Sequence, residues 1–184
     1  IAGKAAVRYV MALGGSTPQV DDAQVGRLRE EIFRPLENFA VGRNEIVAGS
    51  VAPSYISPLH GLQRLEKIMD EYCGGISTQY MTSEPMLDRG LELLTMLKED
   101  LDHIGADGLH QLQRTWELKH RVWTSEAVLR HTLYRQETRW PGYYYRGDYP
   151  KLDDTDWHAF TASQYDAKTG AWQMSKLPVH HIIS

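Results

Sequence analysis

The segment that most restricts the possible folds of this chain runs from residue 135 to residue 157. Within 23 residues it holds four tyrosines, two tryptophans and three arginines. It also contains Pro141-Gly142, Gly147 and Pro150, which rule out a continuous helix because proline lacks an amide donor and glycine frees the backbone. Aromatic hydroxyls and guanidinium groups need hydrogen-bond partners. We therefore expect an irregular segment held against a neighbouring surface.

The residues before this segment carry the periodicity of amphipathic helices. Apolar residues recur every three or four positions in five stretches, at about 1–13, 21–39, 59–72, 84–104 and 109–136. The fifth stretch is apolar on two flanks, which is typical of a helix at the centre of a bundle. On one of these flanks we expect Trp116 and Trp123 to be buried in the core.

The pattern changes to an alternation of period two between Trp157 and Tyr165. Residues 166–170 have the composition of a hairpin turn, and residues 171–177 read as the returning strand. A two-stranded hairpin is only marginally stable alone, so it must lean on the bundle or on another part of the intact protein. The predicted fold class is mainly α: a helical bundle followed by a small β-hairpin.

Composition argues against several classes of protein. The net charge of −4 leaves no basic excess to neutralise phosphates, so we expect no nucleic-acid binding. The single Cys73 excludes an internal disulfide and an iron–sulfur cluster held by this chain's own thiolates. No apolar run approaches the roughly 18 residues of a transmembrane helix, so we expect no membrane span.

Metal and cofactor motifs are missing from the sequence. The histidines lack ligand spacing, and Asp153-Asp154-x-Asp156 lacks the glycine and the glutamate of a calcium-binding loop. A turn or a helix cap is the simpler interpretation of these aspartates. No glycine-rich phosphate loop and no nucleophile motif occurs. We therefore assign no metal ligand, no cofactor-binding residue and no catalytic residue.

Arg139 and Arg146 are the best candidates for a role beyond packing. Arginine holds carboxylate, phosphate or sulfate in a bidentate fork, so either residue is a candidate for catalysis. The alternative, which we favour, is structural: the two arginines clamp Glu137, Asp148 or backbone carbonyls and fix the aromatic segment.

Three motifs in the segment carry a resemblance to a known family. They are Glu137-Thr138-Arg139, then Arg146-Gly147-Asp148-Tyr149-Pro150, then Asp153-Asp154 followed by Trp157. These motifs resemble the carboxyl-terminal part of the succinate dehydrogenase, fumarate reductase and aspartate oxidase flavoproteins. The inserted Trp140-Pro141 and the Tyr144 position depart from that pattern and are similar to the alpha subunits of adenylylsulfate reductases.

The resemblance implies a division of the chain and a function. Residues 1–15 would be the last helix of an FAD-binding domain, residues 16–136 a helical bundle domain, and residues 137–184 an aromatic and arginine-rich loop with a hairpin extension. The intact enzyme would interconvert adenylylsulfate with AMP and sulfite in the cytoplasm. Its FAD would be bound by the part upstream of this chain, and it would exchange electrons with an iron–sulfur beta subunit. The chain alone would be inactive.

The aromatic segment is also our candidate for a docking surface. Its predicted contact residues are Arg139, Trp140, Tyr143, Tyr144, Tyr145, Arg146 and Tyr149. Large apolar area with polar tips is the composition of contacts between large units. Two other interpretations of the chain remain open: a related flavoprotein acting on a dicarboxylate or aspartate, and a self-standing helical interaction module without chemistry.

Overall fold

The computed structural model describes residues 2–14, 19–44, 56–140 and 145–180. They belong to two compact units, Ile1–Arg34 and Pro35–Ser184. The predicted fold class is confirmed, since helices precede a two-stranded hairpin at the carboxyl end. In these described ranges no helix is both long and apolar enough to cross a membrane.

The first unit contains helix α1, Ala2–Ala12, and the first half of helix α2, Asp22–Asn44. The Asp21 side chain accepts a hydrogen bond from the Ala23 amide at 3.0 Å, which satisfies a donor at the start of α2. Both predicted helices are confirmed, although α2 continues past residue 39. No residue of α1 is buried within its unit.

The second unit is built on three packed helices: α3, Pro58–Tyr72; α4, Glu84–Leu101; and α5, Leu109–Tyr134. Each confirms a stretch predicted from apolar periodicity. Their facing sides, together with Ile104 just after α4, form one buried cluster. Its helical members are Leu65, Ile68, Leu87, Leu94, Leu97, Leu101, Leu118, Val122 and Leu129. Burial of this apolar area is the main stabilisation of the bundle.

The predicted burial of Trp116 and Trp123 on one flank of α5 is wrong, although Leu112 on the same flank is buried. Leu118, Val122 and Leu129 face the core as expected, but Trp123 is 64% exposed and Trp116 is only half-buried. The helix has an apolar stripe on each side, and α3 and α4 cover only one of them. Periodicity identifies such stripes without saying how many neighbours will cover them.

Glycines set the distance between the helices at two contacts. A Cβ atom on Gly61 of α3 would lie 2.6 Å from the Leu118 side chain. A Cβ atom on Gly90 of α4 would lie 3.1 Å from Leu129. Small residues at these points let α5 approach both neighbours closely.

A short parallel pairing places the aromatic segment at the start of α4. Strand β1, Met81–Thr82, pairs with strand β2, Tyr145–Arg146. The Gly147 amide continues this pairing by donating to the Thr82 carbonyl at 2.7 Å. No sequence pattern predicts this pairing, because two-residue strands are too short to show a periodicity.

The predicted hairpin is confirmed as strands β3, Ala159–Asp166, and β4, Ala171–Pro178, which pair antiparallel. Trp157, expected at the head of the first strand, instead ends a short helix, α6, Asp154–Trp157. Asp153 caps α6 by accepting hydrogen bonds from two amides, which confirms the capping interpretation of the aspartate cluster.

The hairpin packs against α5. A two-stranded hairpin is only marginally stable alone and needs such a contact. The His131 ring makes hydrogen bonds of 3.0 Å to Thr161 and 2.9 Å to Ser163 on β3. On β4, the Trp172 ring lies 5.6 Å from the Arg130 guanidinium, a cation–π contact.

Candidate functional site

The centre of the candidate site is Arg146, whose side chain is 0% exposed. It binds Asp148 in a bidentate fork with two bonds of 2.8 Å. Its Nη1 donates to the carbonyls of Thr132, Leu133 and Arg135 at 2.6, 3.1 and 3.0 Å. The cation thus satisfies free carbonyls at the carboxyl end of α5, where the helix dipole favours positive charge.

Asp148 binds the start of α4, as Arg146 binds the end of α5. Its Oδ2 accepts a hydrogen bond of 2.8 Å from the amide of Glu84, the first residue of α4. The Arg146 hydrogen bonds lower the pKa of Asp148 below its ordinary value, and the Glu84 amide lowers it further. The Arg146–Asp148 pair therefore joins the end of α5 to the start of α4, with each charge at the helix end that favours it.

Glu137 forms a second hub and is likewise 0% exposed. It accepts hydrogen bonds from Arg139 at 2.7 and 3.0 Å, from the Asp153 amide at 3.0 Å, and from Arg135. Burial alone would raise the pKa of Glu137, but the bonds from Arg139, the Asp153 amide and Arg135 together lower it. The carboxylate stays ionised because its neighbours replace the lost water.

Both arginines around Glu137 also contact the start of the hairpin region. Arg135 donates to the Trp157 carbonyl at 3.0 Å and to the Ala159 carbonyl at 2.7 Å. Arg139 donates to Asp154 at 2.8 Å, next to the Asp153 cap. The Glu137 hub therefore fixes α6 and β3 relative to the segment.

Buried Thr138 closes the base of the loop between the two hubs. Its hydroxyl oxygen accepts from the Arg146 amide at 2.9 Å and donates to the Tyr149 carbonyl at 2.8 Å. Its own amide donates to the Lys151 carbonyl at 3.0 Å. The chain entering and leaving the loop is thereby held at fixed separation.

The predicted contact residues are distributed unevenly around this base. Trp140 projects outward at 67% exposure, whereas Tyr145 and Tyr149 are half-buried. Arg146, offered as a contact residue, is buried and acts from beneath the surface; it lies 5.0 Å from the Tyr149 ring. Tyr143 and Tyr144 fall outside the described residues.

The geometry bears on the catalytic candidacy of Arg139 and Arg146. The bidentate fork of each guanidinium is taken by a carboxylate, Asp148 for Arg146 and Glu137 for Arg139. An external anion would have to displace an internal ion pair to reach either fork. This arrangement favours the structural interpretation.

Sequence reasoning missed the contributions of Arg135 and Thr138. The signal for Arg135 was present: Arg135, Glu137 and Arg139 alternate, so in an extended chain their side chains share one side. No comparable signal exists for Thr138, since a threonine that bridges two parts of a loop looks like any other in sequence.

The described part of the chain contains no cluster of metal-ligating side chains and no reactive thiolate. No group of three or more His, Cys, Asp or Glu within it is arranged to hold a metal ion. Burial raises the pKa of Cys73 to about 11, so its thiol stays protonated. The Trp172 indole nitrogen is the one buried side-chain polar atom there without a hydrogen-bond partner.

Comparisons with known proteins agree on one family. A family model described as the fumarate reductase flavoprotein C-terminal domain matches residues 62–183. The adenylylsulfate reductase alpha subunit of Megalodesulfovibrio gigas is 40% identical over 184 residues, which are 100% of this chain and 27% of that subunit.

Two solved structures resemble the whole chain closely. The adenylylsulfate reductase of the hyperthermophilic Archaeoglobus fulgidus has a TM-score of 0.91 and 51% identity, covering 100% of this chain and 28% of that chain. An adenosine-5-phosphosulfate reductase in complex with sulfite as a covalent adduct gives the same TM-score, identity and coverage. The chain thus spans little more than a quarter of the length of these relatives.

Proposed function

This chain belongs to the fumarate reductase flavoprotein C-terminal family, and from this premise we propose that it is the carboxyl-terminal part of an adenylylsulfate reductase alpha subunit. The observation that carries the proposal is the 51% identity to a solved adenylylsulfate reductase over 100% of this chain, which includes the aromatic segment. The intact protein then interconverts adenylylsulfate with AMP and sulfite.

The flavin and the electron partner belong to the proposal as well. FAD is held by the part of the subunit outside this sequence, since this sequence has no glycine-rich phosphate loop. The two-electron chemistry is that of the flavin, while the protein supplies binding and orientation. Electrons pass to or from an iron–sulfur beta subunit, and the enzyme works in the cytoplasm. This chain contributes structure to that assembly.

Within the assembly, the aromatic segment serves as a dock. The Arg146–Asp148 pair and the Glu137 hub fix the base of the loop, and Trp140 presents apolar area outward. A preformed contact surface loses little conformational entropy on binding. The dock ties the helical unit to the flavin-bearing part of the enzyme or to the beta subunit.

The substrate assignment can be tested on the enzyme purified with all its subunits. We expect AMP- and sulfite-dependent reduction of ferricyanide, and no turnover of succinate, fumarate or aspartate. Turnover of a dicarboxylate without activity on AMP and sulfite would establish the related-flavoprotein alternative. Absence of flavin from the intact purified protein would instead favour the helical interaction module.

The location of the flavin has its own test. The 184-residue chain expressed alone should be colourless, because its described residues supply no phosphate-binding loop. Absorbance near the flavin bands in the purified chain measures this directly. Stoichiometric FAD in that sample would contradict the assignment of the cofactor to the upstream part.

A docking role can be distinguished from a catalytic role by measuring assembly and turnover on the same variants. Trp140→Ala leaves both polar hubs intact, so it should weaken assembly without lowering the melting temperature of the isolated chain. Arg139→Ala removes two bonds to Glu137 and one to Asp154, so it should weaken assembly and also lower the melting temperature. Turnover of the enzyme that assembles should fall only modestly. Normal assembly and melting with turnover reduced a hundredfold would make Arg139 catalytic.

A further inference from the structure

A cavity of about 300 Å³ lies between the start of α3 and the outer side of α5, away from the aromatic segment. It is lined by Pro58, Leu59, Leu62, Arg114, Glu117, Leu118 and Arg121. Its leucines form an apolar floor, where Leu118 is almost fully buried against Gly61 and Leu59 is largely exposed. The cavity is open at the surface and large enough for one apolar side chain of a partner.

Two arginines at the rim of this cavity have no ion-pair partner in the part of the chain that the structure describes. Arg114 and Arg121 are exposed and seven residues apart on α5. Other exposed or half-buried arginines of the bundle are paired, such as Arg64 with Asp100 and Arg89 with Glu92. In an acidic chain of net charge −4, two unpaired cations beside an apolar cavity are a distinctive combination.

Glu117 lies between these arginines along the helix and pairs with neither. Its Oε1 accepts a hydrogen bond of 3.0 Å from Gln113 instead. The rim therefore carries charges in the order positive, negative, positive over two helical turns, a rise of about 10 Å between Arg114 and Arg121.

We propose that this rim and cavity form a docking site for an acidic segment of a separate polypeptide. The segment places an apolar side chain over Leu62 and Leu118. It sets one carboxylate opposite Arg114 and another opposite Arg121. This interface is distinct from the aromatic dock and independent of the reaction that the enzyme catalyses.

The spacing of the charges favours a polypeptide over a small anion. One carboxylate or phosphate midway between Arg114 and Arg121 would meet the negative charge of Glu117. Two carboxylates about 10 Å apart fit without that repulsion, which corresponds to three residues of an extended chain or two turns of a helix. A neutral or basic residue belongs between them, opposite Glu117.

The two kinds of contact contribute differently. Exposed ion pairs are each worth little, so the charges mainly select the partner and its orientation. The apolar side chain in the cavity acts as the anchor, since binding energy concentrates in desolvated central contacts. Binding should therefore weaken with salt without being abolished by it.

The first test uses the enzyme purified as an assembled complex. Arg114→Lys and Arg121→Lys place amines at the rim, where a water-soluble carbodiimide couples them to any carboxylate in contact. We expect mass spectrometry to find both lysines joined to one acidic segment of another polypeptide. Arg89→Lys, coupled to the adjacent Glu92, controls for the reagent. Coupling of the rim lysines only within the subunit, or none while the control succeeds, would overturn the proposal.

The second test measures the strength of the contact. Arg114→Glu with Arg121→Glu should weaken retention of the coupled polypeptide by about tenfold or more, because like charges then face each other. The doubly lysine-substituted protein should retain it within about twofold at low salt. Unchanged retention after charge reversal would overturn the proposal, as would loss of a nucleic acid or a small anion instead of a polypeptide.

Discussion

The bundle core and the aromatic segment both contain fully buried side chains, but different interactions hold the two regions together. In the core, Leu94, Val122 and Leu129 are fully buried and contact other apolar side chains. In the segment, Glu137 and Arg146 are equally buried and make directional charged hydrogen bonds. Apolar contact depends on volume, whereas a guanidinium fork depends on angle and charge.

This difference predicts how each region responds to substitution. A core position tolerates another apolar residue of similar volume at small cost. A buried ion pair tolerates almost nothing, because removal of one partner leaves the other charge without water or a counterion. The loss of stability should therefore differ most between the two regions when the substitution is chemically conservative.

The largest effect is expected for Arg146→Ala. It removes the fork to Asp148 and leaves three carbonyls at the end of α5 without their donor, so the free energy of unfolding should fall by about 3–5 kcal/mol. Urea unfolding followed by circular dichroism measures the loss. Arg89→Ala removes an exposed pair with Glu92 and should lower the free energy of unfolding far less. A similar small loss for Arg146→Ala would mean that the segment contributes little to the fold.

Leu94 provides the matching experiment in the core. Leu94→Ala should lower the free energy of unfolding by about 2–5 kcal/mol, since it removes buried methyl groups and leaves a cavity. Leu94→Met should cost less than about 1.5 kcal/mol. Arg146→Lys, by contrast, should lose much of what Arg146→Ala loses, because an ammonium cannot form the fork. If Arg146→Lys is as stable as the unsubstituted protein, the geometry of the guanidinium fork does not matter. The expected difference between the aromatic segment and the core would then be contradicted.

Acid should weaken the segment before the core. The folded-state pKa values of Glu137 and Asp148 lie below their ordinary values. Their stabilisation is therefore complete above the unfolded pKa values, about 4.3 and 3.9, and is lost as pH falls through the folded values. Between pH 7 and pH 5 these groups should leave stability unchanged, with a decline below about pH 4.5.

A pair of variants assigns this decline to the segment. Glu137→Gln should flatten the slope of unfolding free energy against pH below about pH 4.5, because one proton-linked group is gone. Leu94→Ala should lower the whole curve without changing that slope. Equal slopes in Glu137→Gln and the unsubstituted protein would show that the carboxylate does not govern acid stability.

The smallest effect is expected for Trp123→Ala. Burial in the core would have made this a loss of several kcal/mol, but the side chain is largely exposed on the uncovered flank of α5. The free energy of unfolding of the 184-residue chain should change by about 0.5 kcal/mol or less. A loss above about 2 kcal/mol would indicate that the flank is covered in solution.

The two regions also differed in how far the sequence could predict them. Helical periodicity located all three bundle helices, because a helix that packs against one layer has apolar residues at every third or fourth position. It failed at Trp123, since an apolar stripe does not state how many surfaces cover it. For the segment, residue types pointed to ion pairs of Arg139 and Arg146 with Glu137 and Asp148, which are present.

The remaining contacts of the segment had no local signature. The Glu84 amide, the carbonyls at the end of α5 and the Thr138 bridge are backbone groups or common polar side chains. Their partners are chosen by the three-dimensional placement of the helices. Whether the exposed part of the loop docks onto another unit stays a prediction.

The bond between the Glu84 amide and Asp148 joins residues that are 64 positions apart in the chain. Because synthesis runs from the amino end, the acceptor for the first turn of α4 is made only after all of α4 and α5. The loop that carries Trp140 takes its final shape only when both intervening helices are in place. If this loop is the dock proposed above, a chain with an incomplete bundle lacks the contacts that fix the base of the dock.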